Sequence, residues 1–361
     1  MLKQTEVVVA QIVQHLRPGG IEMMVLDLLK HQNFKTVVIS LEGTKEQAIG
    51  RWPILRKVSN HLIFMNKQPG IQLSLVFQLY RLFKQHQINT IHSHHIGPLL
   101  YGGIAAKLAK ISKRIHTEHD AWHLDSLKRR YLQKSLLCIV KPILVADALA
   151  VANQVKRYLN IDNIELIHNG IDIEKFTPGD RNLARAKLNL SSGVVLIGNA
   201  ARLEPVKGQD LLISAMSHFS SSIHLAIAGA GSCEKALKQQ VAQLNIEHRV
   251  HFLGPLDDMA TFYQALDIFC LPSRAEGLPL SPLEAQACSI PALLTDVGGA
   301  SEALCHATGL LINGEDITQI VTAIETLLSR SSTQNPRHFV EKFRNVKNMS
   351  NAYSKLICAN N

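Results

Sequence analysis

The sequence predicts an α/β protein made of two doubly wound parallel-sheet domains. Three observations point there. The chain has 361 residues, more than one ordinary hydrophobic core supports. Short β-branched runs alternate with amphipathic stretches from one end to the other, the pattern of a parallel sheet covered on both faces. The alternation is interrupted at 169–180 by the Gly-, Asp- and Pro-rich segment NGIDIEKFTPGD and then restarts, as it would across an interdomain linker.

In the first half, strands are expected at 7–13, 36–40, 62–64, 90–93, 114–117, 148–152 and 164–167, with helices at 21–30, 71–85 and 98–109. The strand candidates are short apolar or β-branched runs, and the helical stretches repeat their apolar residues every three to four positions. After the interruption, strands are expected at 194–200, 224–228, 250–253, 268–271, 292–295 and 310–312. Helices are expected at 209–218, 233–244, 259–266, 283–288 and 317–328. A polar break at 329–336 precedes a final helical stretch at 337–357. The first domain is thus expected over 1–168 and the second over 169–336. Open sheets of this kind bind ligands at the carboxyl ends of their strands, so the chemistry is sought in the loops that follow strands.

Composition narrows the class. Apolar residues make up 46% and charged residues 19%, which excludes a disordered or fibrous chain. Aromatics are 5%, too few for a stacking platform on single-stranded nucleic acid. The net charge of +9 is unevenly spread: residues 1–165 hold 22 Lys+Arg against 11 Asp+Glu, and the remainder 16 against 18. The clusters Lys107, Lys110, Lys113, Arg114 and Lys128, Arg129, Arg130, Lys134 read either as solvated helix faces or as attraction to phospholipid headgroups or a pyrophosphate-bearing acceptor. No nucleic-acid-reading motif accompanies them. Cys138, Cys233, Cys270, Cys288, Cys305 and Cys358 form no C-x-x-C pair and read as buried thiols of a reducing compartment. The amino terminus runs straight into a strand-like segment, so no signal peptide is expected. The longest apolar stretch, 135–152, is interrupted by Lys141, Pro142 and Asp147 and is too short to span a bilayer. The expectation is a cytoplasmic protein, peripheral at the inner face of the plasma membrane.

Four loops carry chemistry. Arg17-Pro18-Gly19-Gly20-Ile21-Glu22 follows the first strand; its paired glycines suit either a tight turn or close approach to an anion at a helix start. A G-x-G-x-x-G order is absent, which argues against a dinucleotide site. Six histidines, His92, His94, His95, His116, His119 and His123, gather at strand ends. No helical H-x-x-x-H with an adjacent Glu appears, so no metal is expected; His119 is placed to hydrogen-bond a sugar hydroxyl or a donor phosphate. Arg202 and Lys207, five residues apart at a strand end, either sit in a solvated loop or converge on one dianionic group. The segment 273–284 (SRAEGLPLSPLE) joins Glu276, the backbone of Gly277, Leu278, Pro279 and Leu280, and Glu284 at the start of a helix. There the amides would face an anion and Glu284 would accept from two hydroxyls.

With those residues in place, the chain resembles the family 4 glycosyltransferases of the GT-B fold. The resemblance rests on IHNGID (167–172), ARLEPVKG (201–208), AIAGAG (226–231), VHFLG (250–254), DIFCLPSRAEGLPLSPLEAQA (267–287) and TDVGGASE (295–302). The first half is similar only at GGIE and around His116–His119. The family implies two Rossmann-like domains facing a cleft, with a C-terminal helix, 337–358, crossing back to the first. It implies that Arg202 and Lys207 bind the donor diphosphate, that Glu276 contacts the donor sugar, and that the amides after it meet sugar and phosphate. Glu284 would hold the ribose, Gly254 and Leu256 would meet the base, Gly19 and Gly20 would lie over the diphosphate, and His119 would stand near the reacting sugar. Two departures are visible: Ser289 stands where glycine is common, and Ser281-Pro282 stiffens the acidic loop.

The function so implied is retaining transfer of a hexose or N-acetylhexosamine from a nucleotide-diphosphate sugar, a UDP-sugar before a GDP-sugar. The acceptor would be a glycan or lipid-linked molecule of cell-surface polysaccharide or lipopolysaccharide synthesis. Neither a cofactor nor a metal is expected, and neither is a nucleic-acid partner. The alternatives are a sugar-nucleotide epimerase of the same fold and a non-catalytic nucleotide-sugar-binding protein.

Overall fold

The computed structural model describes residues 6–330 and 333–359, so residues 331 and 332 of the expected polar break lie outside the described residues. The chain divides into two compact units. One runs to Asn169 and takes up again at Lys347; the other is Gly170–Val346.

The first unit comprises β1 (Val8–Val13), α1 (Gly20–His31), β2 (Lys35–Ser40), α2 (Lys45–Arg51), β3 (Leu62–Phe64), α3 (Ser74–Gln85), β4 (Thr90–His94), α4 (Ile96–Pro98), α5 (Ile104–Leu108), β5 (Lys113–Glu118), α6 (Leu127–Val140), β6 (Ile143–Ala146), α7 (Leu149–Leu159) and β7 (Glu165–Leu166). Its strands form one parallel sheet in the order β3-β2-β1-β4-β5-β6-β7. The central strand β1 is buried along its whole length, as a strand covered on both faces must be. Ile12, Ile39, Ile91, Leu79 and Ala105 belong to the core it shares with α3 and α5.

Two expectations fail in this unit. The run 148–152 is not a strand: β6 lies at Ile143–Ala146, and Leu149 already begins α7. An apolar run of five cannot be told from a buried helix start by periodicity. The long apolar stretch around it is cut at Lys141, which takes the left-handed conformation (φ 51°) after α6. The helix expected at 98–109 starts earlier, at Ile96, and passes through a π-helical turn at Leu99–Gly103. There Gly102 and Gly103 leave room for Ile12 and Val140, which a Cβ would meet at 2.5 and 2.9 Å.

The second unit comprises α8 (Arg181–Lys187), β8 (Val195–Ala200), α9 (Gln209–Met216), β9 (Ile223–Ala228), α10 (Glu234–Gln243), β10 (Val250–Gly254), α11 (Met259–Gln264), β11 (Ile268–Leu271), α12 (Ser281–Ala287), β12 (Ala292–Thr295), β13 (Leu310–Ile312), α13 (Ile317–Ser329) and α14 (Pro336–Phe343). Its sheet is parallel in the order β10-β9-β8-β11-β12-β13. Strand order therefore reverses between β1 and β4 in one unit and between β8 and β11 in the other, the places where open α/β sheets open a crevice. The segment read as a linker is built into this unit. Ile171, Asp172 and Phe176 are buried, and Asp172 caps the turn by accepting from the amides of Glu174 and Lys175 at 3.0 and 3.1 Å.

The tail expected as one helix is two, α14 and α15 (Val346–Cys358). Arg344 and Asn345 break it because their backbone pairs elsewhere. The Ile171 amide donates to the Arg344 carbonyl at 2.6 Å, and Ile171 bridges Asn345 in parallel fashion. α14 belongs to the second unit, where the Arg337 guanidinium donates to the carbonyls of Ile173, Phe176 and Ala287 at 3.0, 2.8 and 2.6 Å. Only α15 joins the first unit; there the Tyr353 hydroxyl meets Thr117 Oγ1 at 3.0 Å, and Ser350 donates to the His31 carbonyl at 3.1 Å. The cysteines are free, but two of them, Cys138 and Cys358, are exposed and not buried as expected. Among the described residues no helix is long and apolar enough to cross a membrane.

Ser289 explains the sequence departure noted above. It follows α12 in the left-handed region (φ 69°), where glycine carries no steric penalty, and its buried hydroxyl has no hydrogen-bond partner among the described residues. Ser289→Gly is expected to stabilise the fold by about 1 kcal/mol, read as a shift in urea midpoint. An unchanged or lowered midpoint would contradict this account of the strain.

Candidate functional site

In the second unit the loops after β8 and β11 lie side by side because those strands are neighbours. The first carries Arg202 and Lys207, the second Glu276. Lys207 Nζ donates to Glu276 Oε1 at 2.7 Å, and Ser273 Oγ donates to the same oxygen at 2.6 Å. Glu276 is buried, Lys207 half-buried and Arg202 exposed. The sequence did not single out Arg274, which locks the two loops together. Its amide donates to the Val206 carbonyl at 2.8 Å, and its guanidinium grips both oxygens of Asp210 at 2.9 and 2.7 Å and one of Glu315 at 2.8 Å. Within the first loop, Gln209 donates to the Arg202 carbonyl at 3.1 Å. Gly298 (φ 56°) lets the next loop pass against Glu276: a Cβ there would lie 1.8 Å from the Glu276 carbonyl oxygen.

Beyond Glu276, the amides of Gly277, Leu278 and Leu280 donate to no acceptor among the described residues. Pro279 has no N–H, so the row of four amides expected from the sequence is a row of three. In α12, Glu284 Oε2 accepts from the Tyr263 hydroxyl at 2.6 Å. Burial pushes the Glu284 carboxyl above its ordinary value, opposed by the Tyr263 hydrogen bond and by Lys175. Burial and the neighbouring Glu284 push Tyr263 well above its own value, so it stays a donor. One carboxylate oxygen is thus committed to the protein, and the expected grip on two hydroxyls is left to the other. Gly254 ends β10 with a left-handed backbone (φ 67°) and open space beside it; Leu256 follows, half-buried.

In the first unit the histidines do assemble, in a pattern the sequence did not reveal. His119 Nδ1 lies 2.9 Å from Asp147 Oδ2, and Asn169 Nδ2 donates to the same oxygen at 2.8 Å. His119 Nε2 lies 3.0 Å from His94 Nδ1, and His94 Nε2 lies 3.0 Å from Gln11 Oε1. His119, expected near a sugar, is buried, and both its ring nitrogens are engaged inside the unit. When both rings carry one proton each, this chain has two consistent proton arrangements. With Asp147 ionised, each ring donates through Nδ1 and Gln11 turns its amide NH₂ to His94. With Asp147 protonated, each ring donates through Nε2 and the Gln11 oxygen accepts. A second cluster joins His116 Nε2 to Glu118 Oε1 at 2.8 Å, with Gln133 donating to the same oxygen, and a third joins His92 Nε2 to Thr117 Oγ1 at 2.7 Å. His95, beside His119, has a left-handed backbone (φ 72°) and a buried Nδ1 without a partner. Gly19 and Gly20 stand where expected, at the start of α1, but Glu22 folds its carboxylate back toward Gly19 and lies 3.1 Å from His15 Nδ1. No group of three metal-ligating side chains is found among the described residues.

The chain was compared with known proteins. Residues 6–175 match the model of Glycosyltransferase Family 4, and 180–346 that of Glycosyl transferases group 1. A D-inositol 3-phosphate glycosyltransferase of Mycobacterium sp. (strain KMS) is 36% identical over 186 residues, which is 49% of this chain and 42% of that protein; the match thus spans less than half of that relative. A GDP-mannose-dependent monoacylated alpha-(1-6)-phosphatidylinositol monomannoside mannosyltransferase of Corynebacterium glutamicum is 27% identical over 86% of both chains. The crystal structure of Anabaena Alr3699/HepE with UDP and glucose superposes with a TM-score of 0.86 at 20% identity, covering 98% of this chain and 99% of that one. The two-domain expectation is thereby shown for the fold.

The histidine network also sets a pH dependence. Burial holds His92 and His94 well below the ordinary histidine value, helped by their histidine neighbours, and holds His95 down at about 4. The folded state keeps these rings neutral while the unfolded chain protonates them, so their contribution to stability is full above pH ~6.5 and is lost as pH falls toward 4. His123, raised mainly by its hydrogen bond to Asp120 against burial, and Asp147, raised by burial, act with the opposite sign. Three groups outweigh two in that window, because Asp147 starts from a carboxylate value. Stability is expected to fall on acidification below pH 6.5 by up to about 1.4 kcal/mol per pH unit for each histidine. His94→Gln, which keeps hydrogen-bonding ends without a titratable ring, is expected to flatten the curve measured by urea unfolding between pH 4.5 and 7. An unchanged slope would rule out this source.

Proposed function

The chain belongs to the family 4 glycosyltransferases, and from that premise we propose that it moves a hexose or N-acetylhexosamine from a UDP-sugar to a lipid-linked or glycan acceptor with retention of anomeric configuration. One observation carries the reading: the Lys207–Glu276 pair at adjacent strand ends, followed by three unengaged amides. An ammonium beside amides is a site for a leaving diphosphate. Arg202, exposed five residues before Lys207 in the same loop, adds a second cation with bidentate geometry. Glu276 is held by Lys207 and Ser273 and keeps Oε2 to orient a sugar hydroxyl; Glu284 keeps one oxygen for a ribose. Same-face attack by the acceptor hydroxyl, with the leaving phosphate taking its proton, needs no carboxylate nucleophile. The histidine chain ending on Asp147 would act as a positioning network.

A GDP-sugar is the second reading for the donor, favoured by the GDP-mannose dependence stated in the name of the corynebacterial relative. That relative's acceptor, a phosphatidylinositol mannoside by its name, supports a membrane-borne acceptor here, in cell-surface polysaccharide or lipopolysaccharide synthesis. The place of action would be the cytoplasmic side of an anionic membrane.

UDP at about a hundred times its Kd is expected to raise stability by about 2.7 kcal/mol, visible as a thermal shift larger than those with GDP and ADP. Lys207→Ala is expected to lower kcat roughly 10²–10³-fold while the chain still folds. No shift with any of the three nucleotides would count against the proposal. Epimer formation from the sugar nucleotide alone, without acceptor, would replace it with the epimerase alternative.

A further inference from the structure

The most exposed large apolar side chains among the described residues are Ile71 (82%), Leu73 (73%), Tyr131 (73%), Leu127 (64%) and Phe77 (63%). All five belong to the first unit. Ile71 and Leu73 lead into α3 and Phe77 lies in its first turn; Leu127 and Tyr131 open α6. Both helices follow the carboxyl ends of strands, β3 and β5. α3 packs on α5 and α5 on α6, so one helical layer carries both groups toward the same end of the sheet.

Positive charge dominates the flanking segments, although exposed Asp125 stands two residues before Leu127. Residues 47–117 contain no Asp or Glu and ten Lys+Arg; residues 126–146 contain no Asp or Glu and five. On α6, Lys128, Arg129 and Lys134 are exposed, and helical spacing sets Lys128 and Lys134 on either side of Leu127 and Tyr131. On α3, exposed Arg81 stands one turn beyond Phe77. An isolated exposed leucine needs no explanation, but several large exposed apolar side chains among predominantly basic ones do.

We propose that this face of the first unit docks on an anionic lipid bilayer. The five apolar side chains enter the boundary between headgroups and acyl chains, and the flanking Lys and Arg side chains pair with lipid phosphates. A bilayer suits both features at once. Protein interfaces are depleted in lysine, and single-stranded nucleic acid is held on aromatic platforms, whereas aliphatic Ile71, Leu73 and Leu127 make up most of this patch. The inference rests on the transfer to a membrane-borne acceptor for its purpose only; the surface is there without it.

The test is flotation of the full chain with vesicles of phosphatidylglycerol and phosphatidylcholine, or phosphatidylcholine alone, at physiological salt. Fluorescence of Trp122, exposed just before α6, is the second readout. Binding to the anionic vesicles with a blue shift is expected, with little to the neutral ones. The triple change Ile71→Ser, Leu73→Ser, Phe77→Ser is expected to weaken binding roughly tenfold or more. Lys128→Glu, Arg129→Glu, Lys134→Glu is expected to weaken it about a hundredfold. All six side chains are exposed, so both variants should keep the wild-type Tm and its shift with nucleotide diphosphate. A wild-type chain that shifts with nucleotide diphosphate but ignores anionic vesicles overturns the docking surface and leaves the transferase reading standing. Binding that survives the serine variant at full strength overturns it in favour of a plain polyanion site. An RNA oligomer that displaces the chain from vesicles at equal phosphate concentration overturns it in favour of nucleic acid.

Discussion

The ion pair between Lys207 and Glu276 is the constraint on which the second unit's site depends. It joins loops 69 residues apart in sequence, and only the pairing of β8 with β11 makes it possible. A partly buried pair gains Coulomb energy but has lost hydration, so it persists only when further hydrogen bonds complete it. Ser273 supplies one to the carboxylate. The remaining contacts fix the geometry: Arg274 ties its own loop to Val206 and Asp210, and Gly298 leaves the Glu276 carbonyl room that any side chain would take. The result is an ammonium held in place before any anion arrives, which is what electrostatic preorganisation requires.

The first unit solves a different problem. Its strand ends hold buried histidine rings, and burial is what keeps His92 and His94 neutral. Because each ring has one donor and one acceptor, fixing the proton on Asp147 or His119 fixes every proton down to Gln11. Such a chain fixes the orientation of its rings.

Much of the fold was legible because parallel strands are short, buried and β-branched. β3, β11, β12 and β13 fall on the residues expected from the sequence. The failures share a cause. At 148–152 an apolar run too short to show a period was misread; at 344–345 the helix pattern continued through residues whose backbone pairs with Ile171. Tertiary contacts overrode local pattern in the second case, and local pattern was silent in the first. The charged residues of the site were also legible, since Arg202, Lys207, Glu276 and Glu284 sit at strand ends in distinctive company. Their pairing was not, because sequence order does not show that β8 and β11 are neighbours. Asp147 was passed over for the same reason: its partner His119 is 28 residues away.

The distribution of charge follows from these two designs. In the second unit the cations nearest the site are tied to acids: Lys207 to Glu276, Arg274 to Asp210 and Glu315. That balance matches the near-neutral count of the second half. In the first unit the buried network uses histidines, and of the basic residues over 47–117 Lys113 is buried against the Ala359 carbonyl while Lys67 pairs with Glu42. Most other Lys and Arg there stand at the surface, and the segment 47–117 itself contains no acid. Self-repulsion of that kind destabilises a compact domain. A charge excess kept at a cost to the fold, and confined to a surface where large apolar side chains also stand in water, is best understood through something outside the chain that bears negative charge and accepts hydrocarbon.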